Sequence, residues 1–353
     1  MKQVSEGKLE FLINKNIKKT KKEKTLANIA YARTRREKRG SHLKIPYKTF
    51  YAPTTICIEK PASRKDLTDF IINLKEYITT SSLPISIDFK KTKNIYVAGA
   101  ILFLHEISVI KQKAVEKKQI IKIKQPHHHS KIDQVLSQIG FYELFNIRKK
   151  VYSNRMDVIH WRVINGTKQS WEGHGEVIEK EITRLNISKE NTRALMKGLS
   201  EALTNTNDHA YPEGKDKNGW YIFFQFKDDK FFLIFSDLGV GIRETIRAKS
   251  VWDTLKKLVS GNEDNPETDS EHILLAAQYG KTQTGQDNRG KGIPKIVAAI
   301  KNLPNATVSI YSDAGSCRWG NDHNPSQFEY SEKISGTIVC WDSPIERTVL
   351  ENL

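Results

Sequence analysis

Cysteine is scarce: Cys57, Cys317 and Cys340 lie far apart and form no CxxC pair. An odd count at such spacing indicates neither a disulfide framework nor a cysteine zinc site, and it suits a reducing cytoplasm. Long hydrophobic runs are lacking as well. The longest nearly uninterrupted one, Ile95 to Leu104, falls short of the roughly 20 apolar residues that cross a bilayer, so no membrane partner is expected. The apolar Phe11-Leu12-Ile13 near the N-terminus is too short for a signal peptide and is followed by lysines. No internal repeat is visible, and low complexity is confined to the first residues.

What is present is a chain of 353 residues, 38% apolar and 28% charged, the proportions of a globular protein of one to three domains. Its formal charge of +16 is unevenly placed. Residues 1–48 hold 15 Lys or Arg against four acids, a net of +11, whereas the remaining 42 basic and 37 acidic residues leave only +5. The basic character therefore belongs to an N-terminal arm. Its two clusters, Lys18 to Lys24 and Arg33 to Arg39, flank a short amphipathic patch of Leu26, Ile29, Ala30 and Tyr31. Two readings stand level: contact with a nucleic acid or acidic protein by phosphate or carboxylate neutralisation, and a solvated helix. No base-reading motif accompanies the charge, so nucleic-acid binding would lack sequence specificity.

From about Tyr51, strands alternate with helices: Thr54–Ile58, Leu83–Phe89 and Gln119–Ile123 as strands, Asp66–Ile78, Ala98–Lys113 and Ser130–Phe145 as helices, the last punctuated by Gly140. This predicts a small α/β layer domain over 49–150. The order, with Ile87-Asp88-Phe89 leading to Ile95 through Ile101 and closing on Val135 to Phe141, resembles the STAS domain of anti-sigma-factor antagonists. That family opens its central helix with a phosphorylated Ser. Val97-Ala98-Gly99-Ala100 occupies the place here and has no hydroxyl, so the resemblance implies an interaction unit for a protein partner without phospho-acceptance. His127-His128-His129 reads as a solvated loop, since adjacent imidazoles rarely converge on one ion and no acid or Cys partner is evident nearby.

Further on, Val151 to Gly173 reads as a hairpin and connection, and 174–210 as helix with Asn191 as a cap. Trp220–Phe226 and Phe231–Phe235 read as a second hairpin, and Ala306–Ser312 and Gly336–Asp342 as strands. Within the helical stretch Glu201, Asn205 and His209 recur every fourth residue, which puts them on one face. Alone, that pattern is the solvated side of an amphipathic helix. Three later stretches bear on it: Asp237-Leu238-Gly239-Val240-Gly241 at a strand end, Asn288-Arg289-Gly290-Lys291-Gly292 before a helix at Lys295–Lys301, and Ser335-Gly336-Thr337 entering the last strand. Glycines let backbone approach a ligand, and amides at a helix start beside Arg289 and Lys291 make a phosphate cradle. Gly285 to Lys291 also matches the opening of a P-loop, but Gly292 stands where Ser or Thr would hold Mg²⁺, and the P-loop is rejected.

In this order the four pieces resemble the GHKL ATPase superfamily: the N box at Glu201, Asn205 and His209, the first glycine box at Asp237, Gly239 and Gly241, the second at Gly290 and Gly292, the third at Gly336-Thr337. The resemblance, over roughly 180–345, implies a Bergerat α/β sandwich that binds ATP and Mg²⁺. It implies Asp237 as acceptor for the adenine amino group supported by Thr337, Asn205 as Mg²⁺ ligand, and Lys291 at phosphate. Gly239, Gly241, Gly290 and Gly292 would give close backbone approach, Arg289 would flank the cradle, and Glu201 would be the general base. His209 is left between a phosphate contact and packing. Arg243 to Asn288 would be the ATP lid.

The expected organisation is a basic arm (1–48), a STAS-like domain (49–150) and a GHKL domain (151–353). His105-Glu106 lacks the following Pro of a histidine-kinase acceptor and reads as structural, and only 16 residues follow Thr337, too few for a transducer domain. The nearest branch is that of the anti-sigma serine kinases, whose N box also reads Glu-Ala-x-Thr-Asn. Two expectations follow. One is an ATP-hydrolysing enzyme or a protein-serine kinase acting on a separate STAS partner. The other is an ATP-gated module in which nucleotide sets the lid and a homodimer, in bacterial stress or phage response.

Overall fold

The computed structural model describes residues 47–148, 151–159, 161–166, 174–183, 188–212, 218–227, 230–248, 267–279, 292–320 and 324–344. Residues 1–46 of the basic arm lie outside them, and so do Arg289, Gly290 and Lys291.

The chain is mixed α/β. Three parallel strands, β1 (Lys48–Tyr51), β3 (Ile85–Asp88) and β5 (Ile121–Lys124), lie in the order β1-β3-β5. A two-stranded parallel pair joins β2 (Thr55–Ile56) to β4 (Asn94–Ile95). The central strand β3 is buried at every residue, as parallel sheets covered by crossover helices require. The crossovers are α1 (Pro61–Thr80) and α2 (Val97–Glu116). Pro61 opens α1 where its missing N–H costs nothing, and Leu67, Phe70, Ile71, Leu74 and Ile78 form its buried stripe. Helix α3 (Lys131–Gln138) ends before Gly140, whose φ of +79° turns the chain into the short α4 (Phe141–Leu144). The strand β1 begins inside the stretch assigned by composition to the arm.

The segment expected as a hairpin differs. Residues Met156–Ile159 form a short helix, α5, and a single strand, β6 (Arg162–Gly166), pairs with β7 (Trp220–Lys227) instead of folding back on its own neighbour. Strand β8 (Lys230–Asp237) completes the aromatic hairpin, and β9 (Thr307–Trp319) and β10 (Ser326–Pro344) form a longer one than the apolar cores suggested. The five strands make an antiparallel sheet in the order β6-β7-β8-β10-β9.

Both faces of this sheet are buried, which explains the unbroken aromatic runs. Trp220, Ile222, Phe224, Leu233, Phe235 and Trp341 face a core shared with α6 (Gly175–Thr183), α7 (Lys189–Asn205), α9 (Asp269–Tyr279) and α10 (Gly292–Ala298). Phe223, Ile234 and Ile338 face the other core, shared with α1 and α2. The described residues from Tyr47 onward thus form one compact unit. Arg64 of α1 joins the two parts: fully buried, it donates to the carbonyls of Asp313 and Glu332 and lies over the Tyr330 ring.

Ser188, rather than Asn191, caps α7, its hydroxyl accepting from the Asn191 N–H. Among the described residues no helix is long and apolar enough to cross a membrane.

Candidate functional site

The helical stretch that carries Glu201, Asn205 and His209 is not a uniform α-helix. It is α-helical to Asn205 and continues as one π-helical turn, Thr206–Ala210. The run Asn-Thr-Asn-Asp has weak helix propensity, and the Thr206 hydroxyl bonds back to the Ala202 carbonyl at 2.9 Å. Such single π turns are frequent at functional sites. The three polar residues do not share one environment. Asn205 and His209 both line a cavity, whereas Glu201 lies outside its lining and pairs with Lys295 of α10.

The cavity has a volume of about 90 Å³, below the roughly 300–1,000 Å³ usual for small-molecule sites. Asn205, Asp237, Gly241, Gly292 and Thr337 line it together, from four separate stretches of the sequence. Ile242, Ile246, Ile293 and Ile296 supply apolar walls.

Asp237 ends β8 and sits at 6% exposure. Its Oδ1 accepts the Gly239 N–H at 2.8 Å, and its Oδ2 is 3.5 Å from the Thr206 hydroxyl. Burial pushes its pKa up to about 6, against the lowering effect of the Gly239 and Thr337 N–H groups and of Thr206. Thr337 is the cross-strand partner of Asp237. It reaches that register through an irregularity in β10: the pairing with β9 shifts between Ile334 and Thr337, and Gly336 takes a φ of +70° with its Cα against the Asp237 carbonyl.

The glycines divide by what they touch. Gly241 has a φ of +85° and opens α8 (Gly241–Arg247), with the Asp313 carboxylate where a side chain would stand. Gly239 packs on Ala210 of the π turn, and the following Val240 N–H bonds the Ala210 carbonyl at 2.9 Å. Close approach to protein accounts for Gly239, which is not among the cavity residues. Gly292 lies directly against the Asn205 amide.

Some supporting residues had no signal of their own. Tyr211 donates to the Gly219 carbonyl and accepts the Leu238 N–H, and the Ser312 hydroxyl accepts the Ile242 N–H and donates to the Gly336 carbonyl. Single Tyr and Ser residues in polar contexts carry no periodicity that singles them out. Helix α9 is a correction to the span read as lid, because Ile273, Leu275, Ala276 and Ala277 are core residues.

The other candidates have structural partners. His105 is fully buried between the Asn218 carbonyl and the Ser236 hydroxyl, and burial lowers its pKa to about 4. Glu106 pairs with Lys75. In the histidine loop Asp133 is a nearby acid after all, taking the His129 N–H and standing 3.4 Å from His128 Nδ1. Among the described residues no group of three or more His, Cys, Asp or Glu could hold a metal ion.

Compared with protein-family models and with curated proteins, the chain matches none.

Proposed function

We propose that the chain binds Mg²⁺-ATP in this cavity and hydrolyses it slowly, as a GHKL-type regulatory switch with a Bergerat-like C-terminal part and a STAS-like N-terminal part. The carrying observation is that a nearly buried carboxylate, Asp237, lines one cavity together with its cross-strand partner Thr337 and with Asn205. A buried carboxylate with an open lone pair suits an exocyclic amino donor, and isoleucine walls suit a planar ring. Asn205 offers one amide oxygen, which fits Mg²⁺, an ion that keeps waters and phosphate oxygens as its other ligands. Glu201, one turn before Asn205, would take the proton of the attacking water as its oxygen bonds the γ-phosphorus and ADP leaves.

Loss of an in-chain acceptor supports a switch over self-phosphorylation. Ala98, Gly99 and Ala100 are buried, and Gly99 presses on the backbone of Ile56 and Cys57. The basic arm is assigned to a nucleic acid or acidic protein. Deleting residues 1–48 should remove salt-sensitive nucleic-acid binding and leave ATP affinity unchanged; persistence of that binding would refute the assignment.

The deciding experiment is incubation of the purified chain with γ-labelled ATP and Mg²⁺, alone and with STAS proteins or nucleic acid. Free phosphate marks hydrolysis, labelled protein marks transfer, and unchanged ATP marks neither. Glu201→Ala should keep binding and lose turnover; undiminished turnover removes Glu201 from the base role.

A further inference from the structure

Helices α7 and α10 meet in three successive rungs. Asn205 faces Gly292, Glu201 faces Lys295, and Gly198 faces Ala299, so that α10 runs forward as α7 runs back. The first and third rungs are close contacts, with a glycine in each. The middle rung is an ion pair, Lys295 Nζ to Glu201 Oε1 at 2.5 Å, with the side chains 29% and 21% exposed.

A purely structural account of this pair is weak. The helices are already held by the glycine contacts and by the Trp341 indole, which donates to the Ile296 carbonyl at 3.0 Å. Part-exposed ion pairs add little stability. The pair's position is the informative part. It lies one helical turn from Asn205 on α7 and one turn from Gly292 on α10, both of which line the cavity. An ammonium held at Oε1 takes up acceptor sites of the carboxylate that an attacking water would otherwise use.

We propose that Lys295 senses the terminal phosphate. It holds Glu201 when that phosphate is absent and exchanges it for the γ-phosphate when ATP binds, which frees the Glu201 carboxylate to act as base. This rests on the ATP reading of the cavity. A lysine suits the exchange, being a compact charge on a flexible stem, and a terminal phosphate carries more negative charge and more acceptor oxygens than a carboxylate. ADP has no group to draw Lys295 away, so Glu201 stays engaged.

The test is titration of the full chain with ATP and with ADP, each with Mg²⁺. Lys295→Met should weaken ATP about tenfold or more and change ADP by less than about twofold. Glu201→Gln, which releases Lys295 while keeping the side chain's shape, should tighten ATP several-fold and leave ADP unchanged. Equal effects of Lys295→Met on both nucleotides, or a Glu201→Gln variant with an unaltered ATP-to-ADP ratio, would overturn the exchange while leaving the ATP site intact. A wild-type chain that binds neither nucleotide would overturn the ATP site and the exchange with it.

Discussion

The side-chain amide of Asn205 lies against the Cα of Gly292, so closely that a Cβ there would stand 2.6 Å from its Oδ1. A side chain at this position would therefore have to push the Asn205 amide aside. Gly292→Ala should displace the amide and weaken Mg²⁺-ATP binding about tenfold or more, or about 1.4 kcal/mol. Circular dichroism should show the helices retained, since the clash is with a side chain.

Asp237 gives a pH signature. Its pKa in the fold, about 6, lies above the ordinary value of 3.8, so the unfolded chain ionises first. The stability this group provides is present below about pH 4 and is lost as pH rises to about 6. ATP binding should move in the opposite sense, weakening as pH falls through about 6, because protonation removes the charged acceptor. Asp237→Asn should flatten both profiles, bind ATP less tightly, and at pH 7 gain up to about 3 kcal/mol in urea unfolding.

His105 works the other way. Burial, with Lys75 opposing its charge, lowers its pKa from 6.5 to about 4 against the raising effect of the Asn218 carbonyl. Its stabilising effect is present above pH 6.5 and is lost as pH falls towards 4. Relative to His105→Asn, the wild-type chain should lose on the order of 3 kcal/mol between pH 7 and 4, read from paired urea titrations at each pH.

Arg64 reaches from α1 to two carbonyls of the long β9–β10 hairpin. Arg64→Met keeps the stem and removes the donors, leaving the Asp313 and Glu332 carbonyls short of a partner in a half-buried seam. The expected cost is about 2–4 kcal/mol of unfolding free energy, with nucleotide affinity changed little.

The elements that build the cavity were legible where sequence chemistry is local. Glycine next to an acid at a strand end placed Asp237 and Gly241, and a helix after Gly292 followed from the glycine-rich stretch. What escaped depends on distant partners. The π turn after Asn205 is fixed by Thr206 bonding back to Ala202 and by Ala210 meeting Gly239, contacts that no period of 3.6 encodes. The hairpin expected around Val158 failed because Trp161 is core through its contact with Phe223, not through strand alternation. The polar halves of β9 and β10 gave no alternation to read, and Ser188 outcompeted Asn191 as cap only by its position one residue before α7. Glu201 looked like part of one row with Asn205, and the row divides because Lys295 stands opposite it.

The most direct test of the central claim is calorimetric titration of Mg²⁺-ATP into the full chain, with Asn205→Ala and Asp237→Ala as controls checked for retained fold. Saturable binding at one site per chain is expected, weakened about tenfold or more in each variant. A wild-type chain that takes up no ATP, or two variants that bind as tightly as the wild type, would contradict it.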